Sequence, residues 1–226
     1  MRQAIGFDVY GTLVDPLGLE LHLQPLVGEQ AGDFARLWRS KQLEYSFRKG
    51  LMERYENFEV CTRQALRFTF SSFGKVLTPG DEDRLLDNYQ QLPRFADVPA
   101  GLAALTKQGH RLVAFSNGVE RRVRELLEHA GLLCSFETVV SVDDLQMFKP
   151  HPSVYRYLQQ RLEQPADCTW LVSSNPWDVI GAKAAGLRAA WVRRAHGAVF
   201  DPWGIEPDLT VADLHELAKR FAALSC

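Results

Sequence analysis

Gln3-Ala4-Ile5-Gly6-Phe7-Asp8-Val9-Tyr10-Gly11-Thr12-Leu13-Val14-Asp15 is the stretch on which the reading of this chain turns. Its apolar run, Gln3 to Phe7, is stopped by Asp8 and by Gly11. That pattern predicts a short buried strand that ends in a turn, with a carboxylate at its tip. Working outward, a second run from Arg111 to Phe115 ends at Ser116-Asn117-Gly118, and helical spacing from Val119 to Ala130 follows and closes at Gly131. Thr138 to Ser141 and Thr169 to Val172 are further short β-branched runs. The latter leads into a helix from about Trp177 to Ala185 that stops at Gly186. Arg188 to Val192 supplies another strand. Ala212 to Leu224 reads as a terminal helix with Leu214, Leu217, Phe221 and Leu224 on one stripe.

Strands alternating with helices predict right-handed crossovers and a mostly parallel sheet covered on both faces, an α/β, Rossmann-like core. Between about Pro16 and Arg94 the strand signal disappears, and long amphipathic patterns such as Phe34 to Phe47 and Phe58 to Phe73 replace it. The expected organisation is a catalytic core of residues 1–15 and 95–226, with residues 16–94 inserted as a helical cap over the sheet edge. At 226 residues the chain is long enough for a main domain carrying a smaller insertion.

A formal net charge of -2 gives no global reason to expect nucleic acid or an anionic membrane as partner, so an anionic ligand must be held by local charges. Cys61, Cys134, Cys168 and Cys226 lie far apart and suggest neither a zinc site nor a disulfide framework. The N-terminus lacks the apolar stretch of a signal peptide, and no apolar run approaches the roughly 20 residues that span a bilayer. A cytoplasmic location is the expectation.

In an open parallel sheet, ligands bind beyond the carboxyl ends of the strands. Four such ends carry polar residues here: Asp8, Ser116-Asn117, Lys149 in the loop after the third strand, and Ser173-Ser174-Asn175 with Asp178. Each has a local explanation. Asp8 could cap a turn, Ser116 could N-cap the next helix, Lys149 before Pro150 could be a solvated loop residue, and Asp178 could complement a helix N-terminus. It is their convergence from distant parts of the chain that marks an active site.

These residues resemble the four motifs of the haloacid dehalogenase superfamily. Phe7 to Asp15 is similar to the first, Ser116-Asn117-Gly118 to the second, Lys149-Pro150 to the third, and Ser173-Ser174-Asn175-Pro176-Trp177-Asp178 to the fourth. Phosphatases of that superfamily carry a second Asp where this chain has Tyr10, and further acidic residues where it has Ser173-Ser174-Asn175. A magnesium ion would find too few anionic ligands, so no metal and no other cofactor is expected. What remains resembles the L-2-haloacid dehalogenase branch. Leu37-Trp38-Arg39-Ser40-Lys41-Gln42-Leu43-Glu44-Tyr45 is similar to its Arg-bearing cap helix, and Asn57-Phe58 and the pattern around Trp177 also fit. Ser40 and Pro176 depart from it, where Gln and Ala are usual.

The resemblance implies hydrolytic dehalogenation of a small (S)-2-haloalkanoic acid to the (R)-2-hydroxy acid. The Asp8 carboxylate attacks the halogen-bearing carbon and the resulting ester is hydrolysed by water. Ser116 would hold the substrate carboxylate, and Arg39 with Asn117 would receive the halide. Asp178 would orient or deprotonate water, while Thr12, Ser173 and Asn175 position Asp8, Lys149 and the ester. Tyr10, Leu43, Phe58 and Trp177 would wall the alkyl group, and Tyr155 would stand near the lysine, with plain packing as the alternative for all five. A homodimer is the implied assembly. The rival readings are a phosphatase or a strained-ring amino acid hydrolase on the same scaffold, and a catalytically silent metabolite-binding domain.

Overall fold

The computed structural model describes residues 2–224, so Cys226 lies outside the described residues. Its elements in chain order are β1 (Ala4–Phe7), α1 (Glu20–Val27), α2 (Ala31–Leu51), α3 (Phe58–Ser72), α4 (Pro79–Tyr89), α5 (Val98–Lys107), β2 (Arg111–Ser116), α6 (Glu120–His129) and β3 (Thr138–Ser141). There follow α7 (Pro152–Leu162), β4 (Thr169–Ser173), α8 (Pro176–Ala184), β5 (Arg188–Val192), β6 (Leu209–Val211) and α9 (Leu214–Leu224). The expected α/β core is present, and among the described residues the six strands form one sheet in the order β3-β2-β1-β4-β5-β6. Every pairing is parallel.

β1 is buried along its whole length, which is why it reads as an unbroken apolar run. In register, Phe7 lies level with Ala114 of β2 on one side and Val172 of β4 on the other. The chain steps from β1 to β2 to β3 in one direction and then crosses back to place β4 on the opposite flank. The carboxyl end of β1 is therefore the switch point where connections diverge. β6 was not legible in the sequence, because three residues after Pro207 carry too little alternation to register.

Beyond the turn at Gly11, whose φ is +90°, the chain leaves the sheet beside its own return path. Val14 bridges Arg94 in antiparallel fashion. The Asp15 N–H donates to the Pro93 carbonyl at 2.8 Å, and the Phe95 N–H donates to Leu13 at 3.1 Å. Between these two crossings lie α1 to α4. The indole of Trp38 on α2 donates to the Thr62 carbonyl on α3 at 2.9 Å, and Phe34 meets Phe70 edge-on at 4.9 Å. α3 starts at Asn57, whose side chain accepts the Val60 N–H at 3.1 Å, the N-cap geometry. Cys61, Cys134 and Cys168 are free thiols.

Candidate active site

Asp8 follows the last residue of β1, and its N–H still donates to Val172 at 2.9 Å, so the strand ladder fixes its backbone. The residue is 6% exposed. One carboxylate oxygen, Oδ2, accepts from the Thr12 hydroxyl and from the Asn175 amide, each at 2.9 Å. The other, Oδ1, accepts from the Lys149 ammonium at 3.1 Å. Asn175 occupies the N-cap position of α8 yet makes no cap with its side chain. Its amide reaches instead to Asp8 and, at 3.3 Å, to the Tyr10 carbonyl. Ser173 holds this loop by accepting the Asn175 N–H at 3.1 Å, and among the described residues its hydroxyl makes no hydrogen bond to Asp8 or Lys149.

Lys149 is 1% exposed and all three of its N–H bonds are used. They go to Asp8 Oδ1 at 3.1 Å, to Asp178 Oδ2 at 3.0 Å and to the Phe115 carbonyl at 3.0 Å. The ammonium also lies 4.1 Å from the centre of the Phe115 ring. Asp178, in the first turn of α8, is fully buried and accepts the Tyr155 phenol at 2.7 Å on its second oxygen. Burial pushes its carboxyl above the ordinary range; Lys149 pulls it down, and the negative charge of Asp8 pushes it up again. Burial likewise raises the Tyr155 phenol well above its usual value, so it donates as a neutral hydroxyl. Tyr155 is thus more than packing: it fixes the second carboxylate.

Ser116 is not the N-cap of α6, as its sequence position allowed. The helix begins four residues later at Glu120 with Val119 in the cap position, and the Ser116 oxygen accepts the Gly118 N–H at 3.0 Å. That leaves the hydroxyl proton without a partner among the described residues. The Asn117 side-chain oxygen accepts the backbone N–H of Lys149 at 3.0 Å, which leaves the side-chain NH2 without an acceptor among the described residues. Arg39 crosses from α2 to donate to the Tyr10 carbonyl at 3.2 Å, an acceptor it shares with the Asn175 amide. The Asp8 carboxylate itself is held by Thr12, Lys149 and Asn175, from three distant parts of the chain.

The expected apolar wall is divided. Tyr10 and Phe58, whose rings lie 5.7 Å apart, line a cavity of about 320 Å³ between α3, α4 and the start of α6. Trp177 meets Phe47 edge-on at 5.2 Å and lines a separate apolar cavity of about 340 Å³ that Lys149 also borders. Leu43 is partly buried on α2 and lines neither. Tyr10 follows β1 and Trp177 lies on α8, so the two cavities flank different parts of the sheet end, which periodicity alone does not report.

Ser174, in the middle of the fourth motif, closes the turn around Asp8. Its N–H donates to Thr12 Oγ1 at 2.8 Å and its hydroxyl to the Gly11 carbonyl at 2.7 Å. Gln42, Thr62 and Tyr89 are site neighbours that the motifs do not mark. They form a buried polar chain behind Arg39, and the only trace of it in sequence is a polar residue one helical turn past an arginine.

A family model described as haloacid dehalogenase-like hydrolase matches residues 3–186. An (S)-2-haloacid dehalogenase from Pseudomonas sp. (strain YL) is 36% identical over 97% of this chain and 94% of its own length. Haloacetate dehalogenase H-2 from Moraxella sp. (strain B) is 37% identical over 97% of this chain and 98% of its own. Among solved structures, the L-2-haloacid dehalogenase from Xanthobacter autotrophicus with chloropropionic acid covalently bound superposes with a TM-score of 0.90 at 30% identity, covering 98% of this chain and 99% of that one.

Proposed function

This chain belongs to the haloacid dehalogenase-like hydrolase family, and from that premise we propose that it hydrolyses small (S)-2-haloalkanoic acids to (R)-2-hydroxy acids through an ester on Asp8. The observation that carries this reading is the arrangement of Lys149 between two buried carboxylates, with Asp8 aimed from the switch point of the sheet and held by three donors. A carboxylate oxygen of Asp8 attacks the carbon from the side opposite the halogen, a C–O bond forms, and the halide leaves with the C–X electron pair. Attack at carbon inverts that centre. Hydrolysis at the aspartyl carbonyl leaves it untouched.

The free hydroxyl proton of Ser116 supports its role with the substrate carboxylate. The uncommitted amide of Asn117 and the cationic Arg39 support theirs with the departing halide. Asp178, raised by burial, is the base for the second step, and Tyr155 keeps it oriented. Tyr10 and Phe58, which line one cavity, would face the alkyl group, with residues 16–94 as the cap over the core. We also propose that turnover needs no divalent cation, because an ammonium already lies where two carboxylates would share one.

Among the described residues no helix is long and apolar enough to cross a membrane. A cytoplasmic setting and a homodimer complete the proposal; the free cysteines support the former and the resemblance implies the latter.

The test is chloride release from the two enantiomers of 2-chloropropionate, with and without a chelator. Release from the L form alone, unchanged by the chelator, is expected. A single turnover in heavy-oxygen water should place the label in Asp8, and Asp8→Asn should abolish turnover. Label found directly in the hydroxy acid would reject the ester.

A further inference from the structure

Gln42 is fully buried on α2, one turn beyond Arg39, and every polar contact of its amide has a fixed sense. The Thr62 hydroxyl donates to the Phe58 carbonyl at 2.8 Å, so towards Gln42 it can only accept, and the Gln42 NH2 donates to it at 2.5 Å. The Gln42 oxygen is thereby turned the other way. There it accepts from Arg39 Nη1 at 2.7 Å and from the Tyr89 hydroxyl at 2.9 Å. The second arm of the guanidinium, Nη2, reaches the Tyr10 carbonyl. Both acceptors of Arg39 are neutral, and among the described residues no carboxylate forms an ion pair with it. A cation that shares the Tyr10 carbonyl with Asn175, itself bonded to Asp8, is therefore held in place without its charge being cancelled.

We propose that Gln42 is a positioning residue for the displacement step: its buried amide oxygen fixes the Arg39 guanidinium with a neutral acceptor, leaving the full positive charge for the departing halide. The inference rests on the reading that Arg39 receives the halide. It explains why a polar side chain occupies the buried stripe of α2, between Trp38 and Ser46, where an apolar one would pack at lower cost. It also explains why the residue is an amide. A carboxylate at this position would still accept from Arg39, but it would lose the donor to Thr62 and, by pairing with Arg39, neutralise it.

The experiment uses the intact chain and follows halide release and ester hydrolysis separately in single turnovers of L-2-chloropropionate and L-2-bromopropionate. Gln42→Met removes the acceptor at similar volume, and Gln42→Glu retains the acceptor and adds a charge. Both should slow halide release by about tenfold to a hundredfold, Met on the scale of one lost hydrogen bond to a charged group and Glu by pairing with the guanidinium. The chloride substrate should suffer more than the bromide, since the poorer leaving group needs more help. Ester hydrolysis should keep its rate. Gln42→Met that only lowers the melting temperature, or that slows both substrates and both steps alike, would make Gln42 merely structural. A Glu variant releasing halide at the wild-type rate would refute the charge argument. Arg39→Met separates the two levels: if it releases halide normally, the role of Arg39 itself falls. If it is slow while Gln42→Met is normal, only the present inference does.

Discussion

Asp178 has neither oxygen turned to bulk water. One is bound by Lys149 and the other by Tyr155, in a pocket that excludes solvent. Such a carboxylate costs more to ionise than one in water, which is what a base working near neutrality requires. The sign follows directly. The group acts only when deprotonated, so ester hydrolysis should rise with pH through its elevated pKa and fall away in acid at a pH above that of an ordinary aspartate. Asp178→Asn should release about one halide per protein, accumulate the ester and lose this acid limb. Normal turnover with an unchanged acid limb would assign the base elsewhere. Asp8, Thr12, Lys149 and Asn175 were legible as site residues because motif spacing places them at strand ends. The pairing of Tyr155 with Asp178 was not, because it joins two helices that only the crossover brings together.

The helices reach the site by close approach as much as by polar contact. At Gly181 on α8, an added Cβ would lie 2.5 Å from the Tyr155 hydroxyl and 2.7 Å from Pro150 Cβ, so α7 and α8 can pack this closely only where one lacks a side chain. Gly181→Ala should therefore destabilise the protein by about 1–3 kcal/mol, the usual scale of overpacking. It should also displace Tyr155 from Asp178, lowering the rate of ester hydrolysis more than that of halide release. Thermal melting and the two single-turnover rates check this, and a variant with both rates intact would separate the packing from the chemistry. α2 illustrates the reverse case. Its amphipathic pattern was readable from Phe34 to Phe47, but the helix runs from Ala31 to Leu51, and the later part of its buried stripe is polar at Gln42 and Ser46. Hydrophobic periodicity fades where a helix turns from packing to holding a functional group.

Across the whole molecule, the site lies at one end of the sheet and a different titratable group is buried at the other. His110, before β2, accepts the Gln3 N–H on Nδ1 at 3.2 Å, so the proton of the neutral ring sits on Nε2, which is buried without a partner among the described residues. The Phe221 ring lies edge-on at 5.3 Å. Burial lowers the pKa of His110 in the fold, and protonating Nδ1 would oppose the Gln3 donor. With the folded value below the unfolded one, near 6.5, the unfolded chain takes up protons more readily. Stability should fall as pH drops below about 6.5, and His110→Gln should flatten that fall in melting curves between pH 5 and 7. Parallel curves for the two proteins would exclude His110 as the cause. The sequence by itself determined the alternation of strands and helices, the helical interruption between Pro16 and Arg94, and the family to which the motifs belong, because these are carried by local patterning and spacing. Only the tertiary structure decided that Lys149 joins two carboxylates, that Tyr155 fixes one of them, that Gln42 stands behind Arg39, and that the aromatic wall is split between two cavities. Those facts depend on how crossovers and helix angles place side chains far apart in the chain, and no local pattern encodes a distance between them.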